Sequence, residues 1–110
     1  MGIGPAVAIR DMAERTGMKP ENADVVEINE AFAAQVIAVL KQMEKDGLGF
    51  DYEKLNPNGG SIALGHPVGA TGARLVLTAL NELKRSSGKR ALVSMCIGGG
   101  QGGAAWFETI

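Results

Sequence analysis

Three residues in this chain, two of them the only ones of their type, are suited to moving protons or stabilising a developing charge. Cys96 is the only cysteine and His66 the only histidine. A thiol, with an ordinary pKa of about 8.5, exchanges a proton near working pH, and an imidazole does so near neutrality. Asn29 is the third, since a carboxamide N–H can donate to a water or to an oxyanion. Cys96 also opens the run Cys96-Ile97-Gly98-Gly99-Gly100-Gln101-Gly102. Glycine admits a substrate close to the backbone, and the N–H of Gly98 can face the same small volume as the sulfur. Taken singly, each residue also has a structural explanation. Cysteine is commonly a small core residue, histidine a hydrogen-bonded loop residue, and Asn29 a helix N-cap.

The elements around them supply the reason to take all three together. Gly4-Pro5 predicts a helix start, with Ile9, Met12 and Ala13 on its apolar face and Gly17 at its end. Residues 24–28 predict a short strand, and Asn29 follows it. A second helix is expected over 30–46, capped by Asn29, with Phe32, Val36, Leu40 and Met43 as its stripe and Ala33 and Ile37 beside it. Residues 58–64 read as a weak strand or extended segment, and His66 follows, held extended by Pro67. A third helix is expected from Gly69 to about Arg85, its core face formed by Val76, Leu80 and Leu83, with Leu75 and Leu77 widening it. Residues 90–95 predict a strand that Cys96 follows, and 104–110 a last strand. The short glycine tract between those two favours an antiparallel hairpin. The order α-β-α-β-α-β-β predicts an α/β fold with a mixed, mostly parallel sheet covered by helices. In such folds ligands gather at the carboxyl ends of strands, where Asn29, His66 and Cys96 all fall.

The 16 glycines concentrate in 59–72 and 98–103. Neither cluster is a nucleotide loop of the common kinds. The second has no lysine and leads into a strand, where a phosphate loop needs G-x-x-x-x-G-K-[ST] before a helix, and its spacing is wrong for a dinucleotide fingerprint. Gly65 to Gly72 does open a helix, so anion binding there stands as a minor alternative. With 110 residues, 11 basic against 12 acidic side chains and a net charge of -1, there is no basic field for nucleic acid. No apolar run approaches the ~20 residues of a membrane span. The first residues lack the pattern of a secretory leader. One cysteine excludes an internal disulfide, and one histidine makes a zinc site a poor expectation.

Four ordered stretches resemble the signatures of the C-terminal half of thiolases, the acetyl-CoA acetyltransferases and 3-ketoacyl-CoA thiolases. They are Met1 to Pro5 (MGIGP), Asn29 to Ala33 (NEAFA), Asn58 to Arg74 (NGGSIALGHPVGATGAR) and Cys96 to Gly102 (CIGGGQG). The resemblance implies acyl transfer between coenzyme A thioesters through an acyl-cysteine intermediate, in either the condensing or the thiolytic direction. It implies that Cys96 is the acid/base for the α-proton or the CoA thiol proton. His66 activates the nucleophile and donates to the enolate oxygen. Asn29 positions a water as the second enolate donor, and the Gly98 N–H donates to the thioester oxyanion. Met1 and Phe32 lie near the acyl group. Acyl-CoA and CoA are then substrates, with no resident cofactor. Partners are an N-terminal thiolase half and further copies in a dimer or tetramer. The compartment is the cytoplasm, or a mitochondrion or peroxisome in a eukaryote.

The family's nucleophilic cysteine belongs to the N-terminal half, and Cys96 has no companion here. The chain therefore reads as an incomplete thiolase C-terminal domain over residues 1–110. The N-terminal half, the CoA-binding loop region and the strand before MGIGP are missing. We expect no turnover from it alone. An inner strand missing from the sheet would leave two unpaired edges and poor solubility. Decarboxylating ketosynthases use two histidines, or a His and an Asn without the second cysteine. Sterol-carrier-type thiolases replace the NEAF run, so both fit less well. A non-catalytic CoA- or nucleotide-binding module is the reading from another class.

Overall fold

The computed structural model describes residues 2–110, with three layers: two helices, a three-stranded sheet, and one long helix. Helix α1 (Gly4–Thr16) begins with Pro5 in its first turn and ends at Gly17. The left-handed φ of 73° at Gly17 lets its N–H reach the Ala13 carbonyl. Strand β1 (Val25–Ile28) is buried at every position. Helix α2 (Ala33–Lys45) follows, then a helical turn α3 (Ser61–Leu64) and the long helix α4 (Val68–Ser86). Strands β2 (Arg90–Ile97) and β3 (Gln101–Glu108) close the chain.

The sheet order is β1-β2-β3. β1 runs parallel to β2, Val25 opposite Ala91, and β2 runs antiparallel to β3, Cys96 opposite Gly102. The expected hairpin is present, and Gly99 and Gly100, both at φ 77°, make its turn. Alternation along the strands sends side chains to two cores. Val26, Ile28 and Leu92 pack with Ile9 of α1 and Val39 and Met43 of α2. Val25, Ala91 and Val93 pack with Leu75, Ala79 and Leu83 of α4.

Several expectations are corrected. Helix α2 starts three residues later than the sequence suggests, with Phe32 rather than Asn29 at its N-cap. Asn29 continues the ladder of β1 instead, its N–H donating to the Ser94 carbonyl at 2.9 Å. Residues 61–64 are helical instead of extended, and the one isolated bridge to β1 among the described residues, Val26 with Leu55, lies before the expected segment. On α4 the core face is Leu75, Ala79 and Leu83, while Leu77 and Leu80 are exposed. The apolar residues of α4 run nearly all round it, so spacing alone does not say which stripe meets the sheet. Phe32 and Ile37 are likewise exposed.

The sheet has no interior gap, because β1, β2 and β3 are directly hydrogen-bonded neighbours. The outer edge of β1 is covered too. Asn56, in the left-handed region at φ 45°, donates its N–H to the Val26 carbonyl. Its carboxamide accepts from the Ile28 N–H and donates to the Ile28 carbonyl, both at 2.9 Å. One side chain thus does the work of a strand residue along the outer edge of β1, while among the described residues β3 pairs on one side only, with β2.

Candidate functional site

The second and third motifs are tied together by short side-chain bonds from the residues just after β1. Ser61 Oγ donates to Asn29 Oδ1 at 2.5 Å, and the Ile62 N–H donates to Glu30 Oε1 at 3.3 Å. Gly60 lies beside them, and its lack of a Cβ lets the Glu30 carboxylate lie against the chain there. Asn29 and Ser61 are buried, at 0% and 6% exposure. These bonds hold the backbone of α3 against the end of β1 and so place His66, five residues beyond Ser61.

His66 is fixed from both ring nitrogens. Nδ1 lies 2.6 Å from Thr71 Oγ1, and Nε2 lies 3.5 Å from Asn29 Nδ2. Thr71 Oγ1 donates its one proton to the Pro67 carbonyl at 3.1 Å, the usual bond of a threonine to the preceding helical turn. The threonine oxygen is then an acceptor for Nδ1–H. The hydrogen-bond pattern therefore assigns the proton to Nδ1 and leaves the Nε2 lone pair toward Asn29 and the cleft. Thr71 is fully buried, so this orientation is held by the root of α4.

Cys96 sits inside β2 rather than after it, since the strand runs on to Ile97. It is half-buried and a free thiol. Gly98, just beyond the strand, is exposed, and nothing lies within 4 Å of the position its Cβ would take. The cleft is open at that backbone. Across from Cys96, Gly102 meets the backbone of Gly4 so closely that a Cβ on either would overlap the other chain segment. The first turn of α1 thereby packs against β3 at the strand residue paired with Cys96. The MGIGP and CIGGGQG stretches are neighbours for that reason.

Phe32, His66, Cys96 and Gly98 line one cavity of about 390 Å³, together with Ala31, Val68, Met95 and Ile97. Asn29 stands behind it and reaches it through His66. The walls are mostly apolar, with an imidazole, a thiol and an open backbone segment as polar features, a pattern suited to a small ligand held beside groups able to move protons. Of the site residues named from sequence, five are brought together; Met1 lies outside the described residues. Ser61 and Thr71 were not foreseen. Thr71 had a faint signal, four residues after a proline that opens a helix, whereas Ser61 had none. Among the described residues no group of three or more His, Cys, Asp or Glu converges as a metal site, and no helix is long and apolar enough to cross a membrane.

Known proteins of similar sequence and fold are thiolases. The chain is 56% identical over all 110 residues to the beta-ketothiolase BktB of Cupriavidus necator, and 52% identical to a beta-ketoadipyl-CoA thiolase of Pseudomonas putida. It covers 27% of the length of each. Among solved structures, an acetyl-CoA acetyltransferase of Bacillus anthracis matches 99% of the chain with a TM-score of 0.91 at 47% identity. Human mitochondrial 3-ketoacyl-CoA thiolase matches 99% with a TM-score of 0.87 at 45% identity. In both, the matched region is 26% of the solved chain. The sequence profile described as "Thiolase, C-terminal domain" matches residues 1–109, and the chain belongs to that family.

Proposed function

We propose that this chain is the C-terminal catalytic portion of a thiolase that transfers acyl groups between coenzyme A thioesters. It would form or thiolytically cleave 3-ketoacyl-CoA through an acyl-cysteine. The observation that carries the reading is the single cleft lined by Cys96, His66 and the open backbone at Gly98. In the proposed step, His66 Nε2 takes the proton of a nucleophilic cysteine carried by the N-terminal half. Once protonated, Nε2 is a donor to the enolate oxygen of the second acyl-CoA. In condensation Cys96 protonates the departing CoA thiolate and, as the resulting thiolate, removes the α-proton of the second acyl-CoA; in cleavage it protonates the departing enolate carbon and then takes the CoA thiol proton. Asn29 Nδ2 holds a water as the second donor to the enolate. The Gly98 N–H donates to the oxyanion of the acyl-cysteine thioester. Phe32, 62% exposed, would lie along the acyl group.

Coenzyme A thioesters are substrates in this scheme and no resident cofactor is required. In this scheme the N-terminal half supplies the nucleophile, a separate loop region binds CoA, and the complete protein assembles as a dimer or tetramer. Alone, the 110-residue chain would not turn over, because Cys96 is its one thiol.

The test uses the complete thiolase chain with acetoacetyl-CoA and CoA. His66→Ala and Cys96→Ala should each lower kcat by about 10²–10⁴-fold, the usual contribution of a positioned acid/base, while CoA still binds. Turnover within a few-fold of the native enzyme would refute the roles. Clear thiolysis by the pure 110-residue chain would refute its need for the other half.

A further inference from the structure

The most deeply buried polar groups that the proposed steps leave idle stand behind Asn29. Ser61 Oγ donates to Asn29 Oδ1 at 2.5 Å, and Arg74 Nη2 of α4 donates to Ser61 Oγ at 3.4 Å. Arg74 Nε and Nη1 are buried without a hydrogen-bond partner among the described residues. Glu27, two residues before Asn29 on β1, is fully buried, and neither of its carboxylate oxygens has a partner there either. The Arg74 guanidinium attracts that carboxylate.

The direction of these bonds matters. A carboxamide is nearly symmetric in shape, so packing alone does not decide which end of Asn29 meets His66. Hydrogen bonding does. A guanidinium donates and never accepts. Ser61 Oγ therefore accepts from Arg74, and its single proton must go to another acceptor. Asn29 Oδ1 is that acceptor. With the amide flipped, Nδ2 would face Ser61 Oγ, and the buried hydroxyl proton would have nowhere to go, at a cost comparable to a lost buried hydrogen bond. The unflipped amide sends Nδ2 toward His66 Nε2. Its second N–H is the one that the proposed scheme gives to the enolate-stabilising water.

We propose that Ser61 and Arg74 are positioning residues that set which end of the Asn29 carboxamide faces His66 and the cleft. The proposal rests on the acyl-transfer reading above, in which an Asn29 N–H holds the enolate-stabilising water. Arg74 sets the donor direction of Ser61, and Ser61 sets the donor direction of Asn29. Neither touches a reacting atom.

A double-substitution cycle in the complete thiolase separates this from a general structural role. Ser61→Ala should lower kcat for thiolysis by about tenfold with KM changed less than about twofold, because the bond acts on the transition state through Asn29. In an Asn29→Ala background the same change should cost less than about twofold, since nothing is left to orient. Ser61→Thr keeps the hydroxyl and should recover kcat to within about threefold. Arg74→Lys, which keeps the charge but not the planar fork, should lower kcat in the native background and be silent in Asn29→Ala. Equal costs for Ser61→Ala in both backgrounds would overturn the proposal. So would an unchanged kcat in Ser61→Ala while Asn29→Ala is impaired. Native turnover in Asn29→Ala would instead refute the role of Asn29 itself, and the positioning role with it.

Discussion

Glu27→Gln is the perturbation whose outcome the structure specifies most fully. Glu27 points to the α4 side of the sheet, at 0% exposure, with no hydrogen-bond partner for its carboxylate among the described residues. Desolvation pushes its carboxyl up from the ordinary 4.5 to about 7; Arg74 opposes the rise, and Glu30 and Glu82 add to it. The folded chain then holds this proton more tightly than the unfolded chain does. The stability contribution is full below about pH 4.5 and is lost as pH climbs through about 7. A rise of that size corresponds to about 3 kcal/mol. Glutamine has nearly the same shape and no proton to lose, so the difference between the two chains isolates this one group. Urea unfolding of the 110-residue chain, followed by the fluorescence of its one tryptophan, Trp106, measures the difference by linear extrapolation. Between about pH 4.5 and 8 the glutamine variant should gain about 3 kcal/mol on the native chain. A difference between the two that stays constant across that range would refute the reasoning, since it would mean that Glu27 ionises as freely folded as unfolded.

Three further outcomes follow from packing and from a second carboxylate. Gly102→Ala forces a Cβ into the Gly4 backbone. It should destabilise by about 1–3 kcal/mol or displace α1, read from the unfolding midpoint and from loss of amide-exchange protection in the first turn of α1. Leu92→Ala removes a fully buried side chain between β1 and β3 and should cost about 2–5 kcal/mol in the same unfolding assay. Asp24 accepts from the Lys89 and Arg90 N–H groups at 2.7 and 3.0 Å, and the Arg90 bond first, then the Lys89 bond, hold its carboxyl below the ordinary 3.8. Its stabilisation is present above pH 3.8 and lost as pH falls below it. Asp24→Ala should therefore lower the urea midpoint at pH 6 and leave it nearly unchanged at pH 2.

Much of the architecture was legible because local rules and tertiary demands agree. Pro5 and Gly17 bracket α1 as their backbone preferences require. The glycine tract makes a hairpin turn, since Gly99 and Gly100 take positive φ. Where the rules offered two answers, the local one lost. Asn29 is a good N-cap by type, yet it serves the sheet and the site, and the Gln35 carboxamide oxygen accepts from the Phe32 N–H at 3.5 Å instead. Residues 58–64 looked extended because of their glycines, but Gly60 marks a close approach to Glu30 and the chain then turns helical.

The residue types of the site and their placement near strand ends were available from the sequence, because a lone cysteine, a lone histidine and a glycine run are visible without coordinates. Membership of the thiolase family followed from the order of four motifs. What the tertiary structure alone decided is how those residues are aimed. The tautomer of His66 depends on Thr71, whose own proton goes to the Pro67 carbonyl. The orientation of Asn29 depends on Ser61, 32 positions away. The burial of Glu27 depends on which face of β1 meets α4. Hydrogen bonding is directional and acts over a few ångströms, so it belongs to whichever groups folding brings together, and sequence distance carries no record of it.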